Sequence, residues 1–328
     1  MQLTDTHTHT WYSGHGEGTP AELLAVAINK GLTTIAITEH LTLPNSVDPT
    51  GEYSLLPEQV LPYRKEVLAA QTANPDIEVL LGTEVDWRHG AEDFILEHLG
   101  IQPVTSATKP AASPGSESGS NPGSGSGSGT NASSSANTSA EPIASASSLS
   151  AKGHYQLVIG SVHALTGEDD DPLSFWPFDT DTEIDGWHQR GVRYVWDRYL
   201  ELWLDAVCGA VPFDIMGHPD LPKKLGFYPD FNAKPFWSQM AEAAAARGVL
   251  IELNTAGLYA PCAEVYPGPA LLAEFCRAGV PCTISSDAHA PENVGRDYAV
   301  AVRAMLDAGY KCVTVPTSDG GRREVAIA

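Results

Sequence analysis

No stretch of this sequence stays apolar for the roughly 18 to 20 residues that a membrane-spanning helix requires. No positively flanked apolar leader opens it either, so the chain reads as a soluble protein with a cytoplasmic location as the default. Basic residues are scarce: 19 Lys and Arg stand against 41 Asp and Glu, a formal net charge of -22. Phosphate backbones are held by neutralising cations, which excludes a nucleic acid polymer as the bulk partner; a cationic small molecule or bound divalent ions would be welcome. Cysteine is sparse as well. The five thiols, Cys208, Cys262, Cys276, Cys282 and Cys312, contain no CxxC pair and are odd in number. That excludes a disulfide framework and a cysteine zinc site and leaves reduced, mostly buried thiols.

Large apolar side chains are nearly absent from about Val104 to Ala151, where the text becomes "PGSESGSNPGSGSGSGTNASSSANTSA". Such a segment cannot repay the entropy of ordering and reads as a disordered Ser/Gly-rich insertion. It leaves about 280 residues, close to the ~250 of a single barrel of alternating strands and helices. The expectation is one domain over 1–328, interrupted at about 104–151, because neither flank looks self-sufficient.

Elsewhere short apolar runs recur at Leu32 to Thr38, Ile77 to Gly82, Tyr155 to Val162, Phe213 to Met216, Val249 to Leu253 and Pro281 to Ser285, and read as buried parallel strands. Helices are predicted between them. In "TPAELLAVAINKG" Thr19 is an N-cap, Pro20 sits in the first turn, Glu22 completes a capping box and Gly31 stops the helix. Further helices are expected over Pro57 to Ala70, Trp187 to Val207, Pro235 to Arg247, Pro269 to Ala278 and Arg296 to Ala308. This alternation is an α/β pattern.

With a first strand at the N-terminus ahead of these six runs, seven strands end in polar chemistry: Asp5 to His9, Glu39-His40, Thr83-Glu84, Ser161 to His163, Gly217-His218, Asn254-Thr255 and Ser286 to His289. In a parallel barrel all these ends open on one face, so they converge on one pocket. His7 and His9 are two apart, and in an extended strand such residues point the same way. Of eleven histidines, His7, His9, His40, His163, His218 and His289 lie at inferred strand ends, with His15 in the loop after the first. With Glu84 and Asp287 they make nine candidate metal ligands, too many for one four-coordinate ion. Two or three divalent ions (zinc, manganese or iron) are implied, with Glu84 the natural bridge. Clustered ions of this kind suit phosphoryl chemistry.

The stretches "DTHTHTWYSGHG", "AITEH", "GTEVDW", "GSVHAL", "MGHPDLPKK", "IELNTAGLY" and "SSDAHAP" together resemble the polymerase and histidinol phosphatase (PHP) superfamily over nearly the whole folded chain. "GHPDLPKK" and "ELNTAGLY" favour its histidinol-phosphatase branch. The resemblance implies a distorted (β/α)7 TIM-like barrel and a trinuclear site: His7, His9, Glu84 and Asp287 on one ion, Glu84, His163 and His218 on a second, His15, His40 and His289 on a third. It implies a phosphomonoesterase of histidine biosynthesis that hydrolyses L-histidinol phosphate. Asp287, with Glu84 and His289, is the expected catalytic group, Asp287 serving as ligand and proton carrier. Arg198, Lys223 and Lys224 are candidates to pair with phosphate and Asn254 to bond the substrate.

Bland readings stand beside these. His89, His98, His154 and His188 are expected at the surface, Trp11 and Tyr12 in packing, and the acidic Glu168 to Asp171 in a solvated loop. Glu39 is expected to orient an imidazole. Two other functions compete: a PHP phosphoesterase for small nucleotides or other esters, and a non-catalytic metal-binding regulator, which would be expected to lack ligands. An amidohydrolase would want a bridging lysine, and no inferred strand ends in one.

Overall fold

Strand and helix alternate along the computed structural model, which describes residues 3–101, 153–167 and 174–327. The strands are β1 (Leu3–Asp5), β2 (Leu32–Ile37), β3 (Glu78–Asp86), β4 (Leu157–Ser161), β5 (Ala164–Thr166), β6 (Phe175–Pro177), β7 (Ile215–Met216), β8 (Leu250–Asn254), β9 (Cys282–Ser285), β10 (Cys312–Pro316) and β11 (Arg322–Ala326). The helices are α1 (Pro20–Asn29), α2 (Pro57–Ala73), α3 (Glu92–Leu99), α4 (Ile184–Arg190), α5 (Val192–Cys208), α6 (Lys234–Arg247), α7 (Pro269–Arg277) and α8 (Tyr298–Ala308). The described residues belong to one compact unit, and the Ser/Gly-rich stretch at about 104–151 and the acidic Glu168 to Asp171 lie outside them.

Seven strands pair in parallel in the order β1-β2-β3-β4-β7-β8-β9. The sheet then nearly closes on itself: Thr6 N donates to Ile284 O (3.4 Å), His9 N to Ala288 O (2.8 Å), and Thr8 bridges Ala288. Burial on both faces explains the continuous apolar runs. Inside the barrel Ala36, Leu80, Leu157, Ile159, Ile215 and Leu250 pack together with no exposure, each large side chain contributing roughly 1.5–3 kcal/mol. Helices cover the outside, where Val195, Trp196, Tyr199, Leu202, Trp203 and Ala206 of α5 form one buried stripe. The expected α/β barrel is the architecture found.

At α1 the expected punctuation is present. Thr19 Oγ1 accepts from Glu22 N (3.3 Å), Glu22 Oε2 accepts from Thr19 N (2.8 Å), and Gly31 follows in the left-handed region at φ 75°. Elsewhere the boundaries shift for physical reasons. The helix expected over Trp187 to Val207 is two helices, broken where Gly191 adopts φ 81° and donates to Trp187 O (2.8 Å). The strand expected to end at Gly82 runs on to Asp86, because Thr83 to Asp86 pair with Val158 to Ser161 of β4. Glu84 and Asp86 therefore share one face. Two hairpins, β5/β6 and β10/β11, were not anticipated. The second one seals the end of the barrel away from the histidines: Ser318 N, in its turn, donates to Glu78 Oε1 (2.8 Å), and Arg322 donates to Gly248 O (2.8 Å).

Candidate metal centre

His7 and His9 follow β1, alternate with Thr6 and Thr8, and are fully buried with their Nε2 atoms 3.0 Å apart. Glu84 stands in the middle of the cluster. Its Oε2 lies 3.1 Å from His7 Nε2, 3.4 Å from His9 Nε2 and 3.2 Å from His40 Nδ1. Its Oε1 lies 3.1 Å from His218 Nε2 and 3.5 Å from His163 Nε2. One carboxylate thus addresses two sets of imidazoles with two different oxygens. Asp287 Oδ1 is 3.5 Å from His9 Nε2, and His289 and His15 meet Nε2 to Nε2 at 3.1 Å. The structure therefore brings all nine predicted residues into one cluster, drawn from six segments of the barrel. His40 arrives there because it pairs with Glu84 as a parallel bridge that extends the β2/β3 ladder.

Most of the imidazoles are tethered by the nitrogen that does not face the centre. His7 Nδ1 is 2.7 Å from Glu252 Oε1, and His9 Nδ1 is 3.2 Å from Ser13 Oγ, which donates to Glu39. His40 turns Nδ1 itself to the centre, between Asp86 Oδ2 (3.1 Å) and Glu84 Oε2 (3.2 Å), but His163 Nδ1 bonds Asp86 from outside and His15 Nδ1 meets Glu52 O (3.0 Å). A tether of this kind selects the tautomer and leaves Nε2 with a free lone pair. His218 differs: its Nδ1 is buried and has no hydrogen-bond partner among the described residues. Its backbone is held instead, in the left-handed region at φ 23°, as is Asp287 at φ 50°. Conformations of this type cost of order 1–3 kcal/mol each and persist where neighbours over-determine them. Preceding His218, Gly217 packs tightly: a Cβ there would press on Ser161 Oγ and Ile159 Cγ2, so either neighbour would have to shift.

Burial by itself would raise the Glu84 carboxyl, but the imidazoles of His7, His40 and His163 outweigh it and hold the group well below the usual carboxylate range. Asp287 behaves alike, with His7, His289 and His9 opposing its burial. The reciprocal effect appears at His163, where burial lowers the imidazole and Asp86 and Glu84 more than compensate, pushing it up to about 10. Around Glu84 and Asp86 the field thus favours positive charge, whereas burial and the neighbouring imidazoles push His289 and His15 down. Among the described residues four groups have ligand atoms within 4.8 Å of one another: His7 with His9 and Asp287; Glu84 with His163 and His218; His9 with His40 and His289; His40 with Asp86 and His163. Neutral nitrogens and carboxylate oxygens that converge tip to tip in a buried site are a donor set suited to zinc, manganese or iron.

Above the cluster opens a cavity of about 560 Å³. Lys224, bonded to Asp179 Oδ2 at 2.9 Å, and Arg296, lying 4.4 Å over the Tyr259 ring, are on its wall together with Tyr53 and Phe175. Three predicted substrate contacts, Arg198, Lys223 and Asn254, do not line it. Arg198 pairs with Glu201 and donates to Thr166 O (3.2 Å). Lys223 is buried and directs its three protons at Asp220 Oδ2 (2.9 Å), Glu264 Oε2 (2.7 Å) and Val265 O (2.8 Å). Neither lines the cavity, which corrects the expectation that they pair with phosphate. Asn254 is buried beneath the cavity, donating to Glu252 Oε2 (3.1 Å) and Asp287 Oδ2 (3.2 Å). Tyr12 is buried with its hydroxyl on Glu66, and Trp11 is exposed outside the cavity. His89, His98, His154 and His188 stay away from the cluster.

Reading the sequence missed Asp86, Glu252, Asp179 and Arg296. The signal for Asp86 was its spacing of two from Glu84; for Glu252 it was an acid inside an apolar run. Arg296 and Asp179 carried none.

The PHP domain family matches residues 5–256. A Deinococcus radiodurans protein named "Probable histidinol-phosphatase" is 29% identical over 314 residues, covering 95% of this chain and 96% of that one. Among solved structures, a candidate histidinol phosphatase of Listeria monocytogenes superposes with a TM-score of 0.66 at 20% identity, over 90% of this chain and 99% of that one. A histidinol phosphate phosphatase of Lactococcus lactis, solved with zinc, L-histidinol and phosphate, gives 0.63 at 19% identity, over 97% of each chain. The chain belongs to the PHP domain family.

Proposed function

We propose that the chain is a metal-dependent phosphomonoesterase whose substrate is L-histidinol phosphate. The observation that carries this reading is Glu84, which turns one oxygen to His7 and His9 and the other to His163 and His218 at the floor of a cavity. His7, His9, Glu84 and Asp287 would hold one ion, Glu84, His163 and His218 a second, and His15, His40 and His289 a third. When bound, such ions supply the Lewis acidity that activates water and neutralises phosphoryl charge. The chain's own groups do the rest. Asp287, fixed by the Asn254 amide at 3.2 Å, holds the proton taken from water and returns it to the departing alkoxide. Lys224 offers a cation to the phosphate and Asp179 a carboxylate to the substrate's ammonium, both from the cavity wall. The choice of histidinol phosphate among phosphate esters is supported by the name of the Deinococcus relative, which aligns over nearly all of this chain.

Phosphate release from histidinol phosphate, small nucleotides and sugar phosphates, with and without a chelator, tests this. Strong preference for histidinol phosphate and loss with chelator are expected. Equal turnover across the panel would reject the substrate, and indifference to chelator would reject the chemistry.

A further inference from the structure

Glu252 lies in the middle of β8 with no exposure, and it appears in none of the four groups of converging ligands. It nevertheless collects four donors. Oε1 takes His7 Nδ1 at 2.7 Å and the Ser285 hydroxyl; Oε2 takes the His218 backbone N–H at 2.7 Å and Asn254 Nδ2 at 3.1 Å. His7 belongs to the set with His9 and Asp287, and His218 to the set with Glu84 and His163. We propose that Glu252 is the positioning residue that sets both halves of the metal centre at once, through the His7 tautomer on one side and the His218 backbone on the other.

Two features make the His218 half depend on it. The imidazole has no tether at Nδ1, so the ring is aimed from its backbone, and that backbone sits at φ 23° where it must be held. For the His7 half the logic is the proton's location. A carboxylate facing Nδ1 keeps the proton there and leaves the Nε2 lone pair toward Glu84 and His9.

Glutamine at position 252 keeps the size and cannot keep the pattern. With its amide nitrogen toward His7, donor faces donor, so the imidazole must carry its proton on Nε2 and loses its lone pair for the ion. With the amide flipped, the NH2 faces the His218 N–H and Asn254 Nδ2. In either orientation one half is released.

The inference rests on the proposed metal centre, and the test separates the two. Full-length wild type and Glu252→Gln are titrated with zinc against a chromophoric chelator, and thermal unfolding of both is followed without zinc. Roughly 10–100-fold weaker zinc binding at one site, the size typical when a ligand's outer partner is removed, is expected with cooperative unfolding retained and kcat falling more than KM. Equal zinc affinity at every site overturns Glu252's role and leaves the centre standing; wild type that binds no zinc removes both. Should the variant fail to fold, the wild type decides alone: with zinc bound, 15N-histidine spectra must show His7 protonated at Nδ1, and a His7 without that proton overturns the inference.

Discussion

Lys223→Met separates two readings of the same basic pair. The side chains are similar in length, so the change removes charge and donors and keeps most of the volume. In the folded chain Lys223 is 2% exposed and Asp220 3%, so the variant leaves the Asp220 carboxylate buried with only the Gly268 N–H, at 2.8 Å, and no cation. Breaking a buried pair from one side costs about 3–5 kcal/mol. At the 2–4 °C per kcal/mol typical of domains of 150–250 residues, the melting temperature should fall by roughly 6–20 °C. The loss depends on pH in a defined direction. Burial already raises the Asp220 carboxyl above its ordinary value, opposed by Lys223. Without the lysine its folded pKa rises further above the unfolded one, so the folded variant is favoured at low pH and loses stability as pH climbs through that value. The gap from wild type should therefore widen as pH rises above the ordinary carboxylate range. Calorimetry across that range, with phosphatase kinetics at a temperature where both proteins are folded, is the assay. KM is expected within a few-fold of wild type because Lys223 does not reach the cavity. A large rise in KM with an unchanged melting temperature would refute the reasoning and return Lys223 to the substrate.

Three other outcomes are expected. Lys224→Met should show the opposite split, raising KM about tenfold or more with a melting temperature within a few degrees, since its ion pair with Asp179 lies on the cavity wall; steady-state kinetics and calorimetry check it. Glu84→Gln should lose at least about 100-fold in kcat together with bound metal, because an amide cannot present acceptors to both imidazole sets; a near-wild-type rate with full metal content would sink the bridge. Hydrogen bonds from the Thr19 N–H and hydroxyl hold the exposed Glu22 carboxyl below its ordinary 4.5. Its stabilisation is therefore present above that pH and lost as pH falls through the folded pKa. Glu22→Gln should lower the melting temperature at pH 7, and the difference should vanish in acid.

The barrel was legible because strands buried on both faces are written as continuous apolar runs, and the nine clustered residues because eight stand at strand ends and His15 in the loop after the first. Where the reading stopped short, local cues pointed the wrong way. Gly82 and the polar Thr83 looked like a strand's end, although pairing with β4 carries the strand to Asp86. Glu252 is an acid in a run that otherwise reads as core, and only the fold shows that His7, 245 positions away, meets it. Lys223 and Lys224 are adjacent and chemically identical. Their different fates depend on Glu264 and Asp179, distant residues whose proximity no local pattern announces.

The seam where β1 meets β9 has a consequence for how the chain assembles. Thr6 and Ile284, which touch across it, are 278 positions apart, and His7, His9, Asp287 and His289 all stand beside that join. Of the seven barrel strands β1 precedes all the others, and its outer edge must wait for β9, 278 positions later, before it is satisfied. Until then its two histidines face no Asp287, so the clasp of the barrel and the completion of the cation site are one late event, and ions added during refolding should speed the final step of closure rather than the first collapse.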